Sequence, residues 1–275
     1  MLTPEIEARL LGYLAEDAGT GDVTAQITPE KECRSQIVAN EECILAGAEE
    51  CAFLLKNSGL AASALKVDGQ AVKACEKIFE IRGSSRKTLT LERICLNILG
   101  RMSGVATLCA RALEIAGENA TIAVTRKTVP GFQLLDKKAA QAAGCWTHRK
   151  NLSEMILLKD NHLRFFPSAL DAAKKAKETG KKFEIEVETE AQALEVASAQ
   201  PDMILLDNFS AQDAKKTIAK LRKKGFAGQI ELSGGITLKN LKQYSKIGAD
   251  IISMGELTKK AKIMGFSLDI VEVKK

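Results

Sequence analysis

From Thr121 to Gly255 the chain repeats one pattern, a short aliphatic run followed by a helical stretch. The runs are centred near Ala123, Ile156, Ile185, Leu205, Ile230 and Ile252. Helices are predicted between them over 168–180, 191–199, 210–225 and 237–248. Three of these start at Ser or Thr and stop at Gly, the pattern of an N-cap and a left-handed C-terminal residue. Strands joined by single helices make right-handed βαβ units and a parallel sheet. Six or seven units at this spacing fit a barrel better than an open sheet. In a barrel the C-terminal strand ends gather at one mouth, where ligands bind.

The chain before this repeat reads differently. Thr3-Pro4 is an N-cap followed by proline at the first helical position, and Leu10, Leu11 and Leu14 mark the apolar face of the helix. Ala25 to Arg82 alternates short strand-like and helix-like runs, the pattern of a small α+β domain with an antiparallel sheet. A long helical pattern runs from Leu89 to about Ile115. Ser103-Gly104 interrupts it and is expected to mark the domain junction. The expected division is a first domain over 1–104, with 265–275 returning to it, and a barrel over 105–264. A chain of 275 residues, 45% of them hydrophobic, is long enough for two cores.

Composition excludes several classes. No N-terminal signal pattern or bilayer-length apolar run is present, so no membrane role is expected. The seven cysteines are scattered singly without a Cys-x-x-Cys pair, which points away from a disulfide framework or a zinc site and toward a reducing cytoplasm. Net charge is +5, and the basic residues are mixed with acids along stretches such as 169–182. With aromatics at 4%, few side chains are available to stack on bases, so nucleic acid is not the expected partner. A mild positive charge suits a small anionic ligand.

The strand ends carry the chemistry. Thr125-Arg126-Lys127 follows the first run and Lys159-Asp160-Asn161-His162 the second, with His148-Arg149 between. Charge at the end of a buried strand is poorly explained by packing. Arg126 and Arg149 suit bidentate capture of carboxylates, against an ordinary surface ion pair. His148 reads as a hydrogen-bond donor to a carboxylate, and His162 as structural, orienting its strand end. Cys145 and Trp146 read as packing residues. Alternation in Phe183–Glu188 puts Glu184, Glu186 and Glu188 on one face. Glu186 and Asp207 suit Mg²⁺ shared with a diphosphate, or else a core salt bridge to Lys127 or Lys159. Ser233-Gly234-Gly235 and Gly255 follow the last two strands, where barrels hold phosphate on backbone N–H groups. An aldolase-type barrel using Lys159 as a Schiff base is a reading from another class, less suited to an anion pocket with carboxylates.

Together these stretches resemble the quinolinate phosphoribosyltransferase family. The likeness runs from Glu16-Asp17 and Gly21-Asp22-Val23-Thr24, through Leu91-Glu92-Arg93, Ser103–Thr107, Thr125–Gly131 and Leu152-Ser153-Glu154, to Gly255-Glu256-Leu257-Thr258. It implies an N-terminal α/β sandwich domain and an incomplete, seven-stranded α/β barrel of the type II phosphoribosyltransferase kind. It also implies a homodimer, or a higher oligomer, with shared active sites. The implied reaction joins quinolinate to phosphoribosyl pyrophosphate with Mg²⁺, releasing pyrophosphate and CO₂ and leaving nicotinate mononucleotide. Arg93 of a neighbouring subunit, with Arg126, His148, Arg149 and Lys159, would surround quinolinate. Thr125, Lys127, Glu186 and Asp207 would serve the phosphoribosyl donor and its Mg²⁺. Ser233, Gly234, Gly235 and Gly255 would hold the 5′-phosphate.

Two positions depart from the family pattern. Thr147 stands where Asn usually precedes the His-Arg pair, and Thr258-Lys259-Lys260 where Thr-His-Ser is usual. Lys259 would then meet the phosphate as a fixed charge, against the ordinary reading of an exposed lysine. The alternative these departures raise is a molybdenum-transport-associated sister group with a different acceptor. That group tends to lose the Lys-Asp-Asn-His stretch, which this chain keeps.

Overall fold

A computed structural model describes residues 2–275. In chain order the elements are α1 (Pro4–Ala18), α2 (Val23–Ile27), β1 (Glu32–Ala39), β2 (Cys43–Ile44), α3 (Ala48–Asn57), β3 (Ala61–Ala64), β4 (Ala71–Val72), β5 (Lys77–Ser84) and α4 (Ser85–Ala116). There follow β6 (Thr121–Val124), α5 (Gln133–Ala142), β7 (Ile156–Leu158), α6 (Asp160–Leu163), α7 (Ala169–Glu178), β8 (Phe183–Val187), α8 (Glu190–Val196) and β9 (Met203–Asp207). The last are α9 (Ala211–Lys223), β10 (Gln229–Ser233), α10 (Leu241–Tyr244), β11 (Ile251–Met254), α11 (Glu256–Lys259) and β12 (Phe266–Val273). The chain forms two compact units. One takes the residues through Ala110 with Val129–Gly144 and Lys260–Lys275, and the other takes Arg111–Thr128 and Cys145–Lys259.

The first unit is built on an antiparallel sheet in the order β12-β1-β5-β3. Its core is aliphatic, with Ile37, Leu54, Leu55, Ile78, Phe79, Ile81 and Leu99 all buried. The helix starts obey local chemistry: Thr3 Oγ1 accepts from Ile6 N–H, and Asp22 accepts from Thr24 and Ala25 N–H. Helix α4 runs unbroken through Ser103-Gly104, which corrects the expected interruption. Gly104 is there for close approach: a Cβ at this position would lie 1.7 Å from the Lys262 carbonyl oxygen. One turn earlier, Gly100 O accepts from Met264 N–H at 3.0 Å. Ser103 Oγ accepts Ala46 N–H at 3.0 Å. The first compact unit follows α4 as far as Ala110.

Helix α5, which the sequence reading did not include, joins the first unit through charge. Arg101 Nε and Nη2 bind both oxygens of buried Asp136, at 2.9 and 2.8 Å, and Lys138 reaches Glu49 and Glu50. The glycine seam gives a stability test. Gly104→Ala is expected to destabilise the fold by about 3 kcal/mol, the upper end of an overpacking cost where backbone must yield. Urea unfolding reads this as a lower midpoint; an unchanged midpoint would mean the segment at Lys262 retreats freely.

The second unit is a parallel sheet in the order β6-β11-β10-β9-β8-β7. Trp146 adds a single parallel bridge to Ala123 beyond β6, so the seventh strand is reduced to one residue. Pairing therefore runs from Trp146 round to β7, with no bridge joining these two ends among the described residues, and the barrel is incomplete. Strands β8 and β9 are buried along nearly their whole length, as a parallel barrel requires. Ser168, Thr189 and Ser210 cap α7, α8 and α9 with their hydroxyls. The helix expected over 237–248 shrinks to Leu241–Tyr244, because Asn240 Oδ1 takes the Thr237 N–H and its amide binds Gly235 O, closing a turn instead.

Candidate active site

Register puts the strand ends side by side. Leu158 pairs with Ile185, Val187 with Leu206, Asp207 with Ser233, and Met254 with Val124. The residues just beyond these positions share one end of the barrel. A cavity of about 190 Å³ opens there, lined by Thr125, Arg126, Lys127, His148, Arg149 and Lys159. Leu157, Leu205, Glu231, Ser233 and Ser253 complete its wall. Four cations and two leucines around so small a volume suit a planar ring bearing negative groups. A larger cavity, about 760 Å³, lies within the first unit against Tyr13, Ile94, Phe132 and Ile263. It carries Glu16 and Asp17, and its Arg101 is already bound to Asp136, so it matches an anion poorly.

Arg149 is buried, and burial followed by the Arg126 charge lowers its pKa below the usual arginine range. A guanidinium under that strain gains most from a carboxylate partner. Its Nη1 donates to Met155 O at 3.2 Å, which fixes one arm of the fork. Lys159 pairs with Glu186 across the mouth, so the core salt bridge left open above is present. Lys159 N–H also donates to His162 Nδ1 at 3.0 Å, so His162 orients the strand end and does not line the cavity. Arg93 lies exposed on α4 in the first unit.

His148 departs from its expected role. Its Nε2 lies 2.9 Å from Glu184 Oε2 and 3.3 Å from Glu231 Oε2, both carboxylates being fully or almost fully buried. Its Nδ1 accepts the Arg149 N–H at 2.8 Å. Nε2 is turned toward the two carboxylates without completing a hydrogen bond to either, and the ring lines the cavity. Burial lowers the imidazole's pKa, and the two carboxylates more than reverse this, raising it to about 9. A doubly protonated ring could not accept the Arg149 N–H at Nδ1, so that contact opposes the carboxylates and favours the neutral ring with its proton on Nε2. Burial and then the Glu231 charge raise Glu184 to about 7, with His148 and Lys159 pulling the other way.

The phosphate end has its own geometry. Gly234 and Gly235 have φ of 86° and 63°, and a Cβ on Gly234 would fall 2.3 Å from Asn208 Oδ1. Only glycine allows that approach with that backbone. Beside Gly255 stand Lys127, Lys259 and Thr125, within 3.3–3.5 Å of where its Cβ would be. Thr258 Oγ1 donates to Lys127 O at 2.8 Å, tying α11 to the loop after β6. Lys127 N–H donates to Thr125 Oγ1 at 3.1 Å.

Glu186 lies next to last in β8 and pairs with Lys159, and Asp207 ends β9 and accepts from the Asn208 amide; hard carboxylate oxygens of this kind fit Mg²⁺ completed by water and substrate oxygens. The tightest set of possible ligand atoms, His148 with Glu184 and Glu231, lies within 4.8 Å of one another. It contains a nitrogen and is already engaged with itself, so it suits Mg²⁺ less well.

Comparison with known proteins decides the family. The profile of the Quinolinate phosphoribosyl transferase N-terminal domain matches residues 22–103, and that of its C-terminal domain matches 105–269. The chain belongs to the quinolinate phosphoribosyltransferase family. It is 37% identical over 273 residues to the probable nicotinate-nucleotide pyrophosphorylase [carboxylating] of Bacillus subtilis, covering 97% of this chain and 93% of that one. It is 32% identical over 277 residues to the human nicotinate-nucleotide pyrophosphorylase [carboxylating], covering 98% and 93%. The solved nicotinate-nucleotide pyrophosphorylase of Francisella tularensis superposes with a TM-score of 0.91 at 32% identity, covering 100% of this chain and 98% of that one. The family fold, a mixed α/β chain with an incomplete barrel, is the fold described above.

Proposed function

We propose that this chain transfers phosphoribosyl from phosphoribosyl pyrophosphate to quinolinate, with loss of CO₂, in the synthesis of NAD. The observation that carries the proposal is the small leucine-walled cavity ringed by Arg126, Lys127, Arg149 and Lys159, in a chain of this family. Its substrates are two polyanions that repel each other in water. A cationic pocket that holds both removes that barrier and aligns the ring nitrogen with the ribose carbon.

Arg149 and Arg126 clamp the quinolinate carboxylates, with Lys159 completing the charge balance. Leu157 and Leu205 pack the ring. Lys127 stabilises the pyrophosphate as it leaves. Glu186 and Asp207 face the positive charge that develops on the ribose. Gly234 and Gly235 offer backbone N–H groups to the 5′-phosphate. Glu186 and Asp207 would hold Mg²⁺, which when bound would further neutralise the diphosphate. The protein supplies no nucleophile, since the pyridine nitrogen attacks. Once that nitrogen is quaternised, its positive charge stabilises the electron pair left on the neighbouring ring carbon as CO₂ departs, and a proton from solvent then completes that carbon. The unit that acts is a homodimer in which Arg93 comes from the neighbouring subunit. Its proposed setting is the cytoplasm; among the described residues no helix is long and apolar enough to cross a membrane.

The deciding measurement is formation of nicotinate mononucleotide and CO₂ from quinolinate and phosphoribosyl pyrophosphate with Mg²⁺, with nicotinate as competitor. Turnover of nicotinate but not quinolinate would sink the assignment. Lys259 gives a second test. It stands beside Gly255 with Lys127, so Lys259→Ala is expected to weaken phosphoribosyl pyrophosphate about tenfold, the value of one charge-assisted contact, and to leave quinolinate nearly unaffected. Titration calorimetry on both proteins reads both effects; an unchanged affinity in the variant removes Lys259 from the site.

A further inference from the structure

His148 holds a backbone conformation that its side chain does not favour. Its φ is 51°, in the left-handed region, where a residue with a Cβ is strained. Such a conformation persists only where surrounding contacts over-determine it. Here the ring is held on three sides. Nε2 faces Glu184 Oε2 at 2.9 Å and Glu231 Oε2 at 3.3 Å. Nδ1 accepts the N–H of the next residue, Arg149, at 2.8 Å. The Trp146 ring lies 4.8 Å away, tilted by 50°. The chain turns at His148, and the residue that the turn delivers to the cavity is Arg149.

Glu184 and Glu231 come from β8 and β10, strands separated in the sheet by β9. Their exposures are 0% and 1%. Two carboxylates in a barrel core are costly unless each has a task. Neither stands among the clamp or phosphate residues. Their shared contact is the His148 ring, which with Glu231 lines the cavity beside its four cations.

We infer that Glu184 and Glu231 are positioning residues for the acceptor site, seating His148 so that its left-handed turn presents Arg149 to a substrate carboxylate. This rests on reading the cavity as the quinolinate site. His148 then acts through its backbone and its seated ring. When the turn relaxes, Arg149 leaves the pocket, and apparent acceptor affinity falls with the fraction of molecules still turned. The donor's phosphate cradle, built on Gly234, Gly235 and Gly255, does not depend on that turn.

Two pairs of variants test this, each measured for quinolinate and for phosphoribosyl pyrophosphate by titration calorimetry and by steady-state kinetics. Glu231→Gln keeps an oxygen to accept the imidazole N–H, and Glu231→Leu does not. The quinolinate KM of the Leu variant is expected to rise at least fivefold above that of the Gln variant, with phosphoribosyl pyrophosphate binding alike in both. His148→Gly and His148→Ala both remove the ring, but only glycine adopts the left-handed turn without strain. The Gly variant is expected to bind quinolinate about fivefold more tightly than the Ala variant. Equal quinolinate affinity within both pairs, or losses shared equally by the two substrates, would overturn the inference. The His148 pair decides the matter if Glu231→Leu fails to fold. Wild-type protein that does not turn over quinolinate would instead overturn the functional reading itself.

Discussion

Arg149→Ala is expected to weaken quinolinate binding by about 10- to 150-fold, the loss of one charge-assisted pair worth roughly 1.5–3 kcal/mol. The size follows from where the side chain sits. Arg149 is 9% exposed, its proton affinity is lowered by burial and by Arg126, and one arm of its fork is fixed on Met155 O. A carboxylate bound there meets a desolvated and pre-oriented partner, so little is lost in ordering it. Arg126 is exposed at the same rim, and its removal should cost less, since a solvated pair is screened. In the proposed arrangement phosphoribosyl pyrophosphate is held at the glycine end of the mouth, so its affinity should change little in Arg149→Ala. Calorimetric titration with each ligand separately gives the comparison. Equal losses for both would show that Arg149 serves the whole mouth and not the acceptor clamp.

The strand–helix alternation made the barrel legible, because a parallel sheet buries whole aliphatic runs and leaves polar residues only where strands end. Arg126, Lys127, Lys159, Asp207 and Ser233 could be found that way, each ending a strand or lying within three residues of its end. Glu184 and Glu231 could not. Each is an acid buried within a largely apolar strand, and its partner is a histidine on a remote loop, brought close only by the curvature of the sheet. The signal was faint but present: a glutamate two residues before Glu186 on the same face must also point inward. His148 was misread for a related reason, since its role comes from a backbone angle and two distant carboxylates, neither visible in a dipeptide. Gly104 looked like a helix interruption because the sequence cannot show the Lys262 carbonyl that passes over it. Helix α5 lacked a signal of its own. Phe132 at its N-cap makes no side-chain cap, and charge pairs to Arg101, Glu49 and Glu50 hold the helix in place.

Lys127→Ala should lower kcat by about 10²–10³, the usual loss when a group placed on developing negative charge is removed. Lys127 lies beyond the end of β6 with its carbonyl held by Thr258 and its N–H by Thr125, so the loop that carries it is fixed before substrate arrives. In the proposed dimer each site takes Lys127 from one subunit and Arg93 from the other. Arg93→Ala should therefore be about as damaging, although Arg93 is exposed on α4 and serves no site that its own unit shows. The two inactive variants together make the sharper test. Under two-fold symmetry a mixed dimer pairs the intact Lys127 of one subunit with the intact Arg93 of the other at one of its sites, and both defects fall at the second. Equal mixing should restore about a quarter of wild-type activity once subunits have exchanged at random. Exchange is followed by native mass spectrometry with one variant isotopically labelled. Full exchange without any return of activity would place Arg93 outside the site, or its contribution within the same subunit.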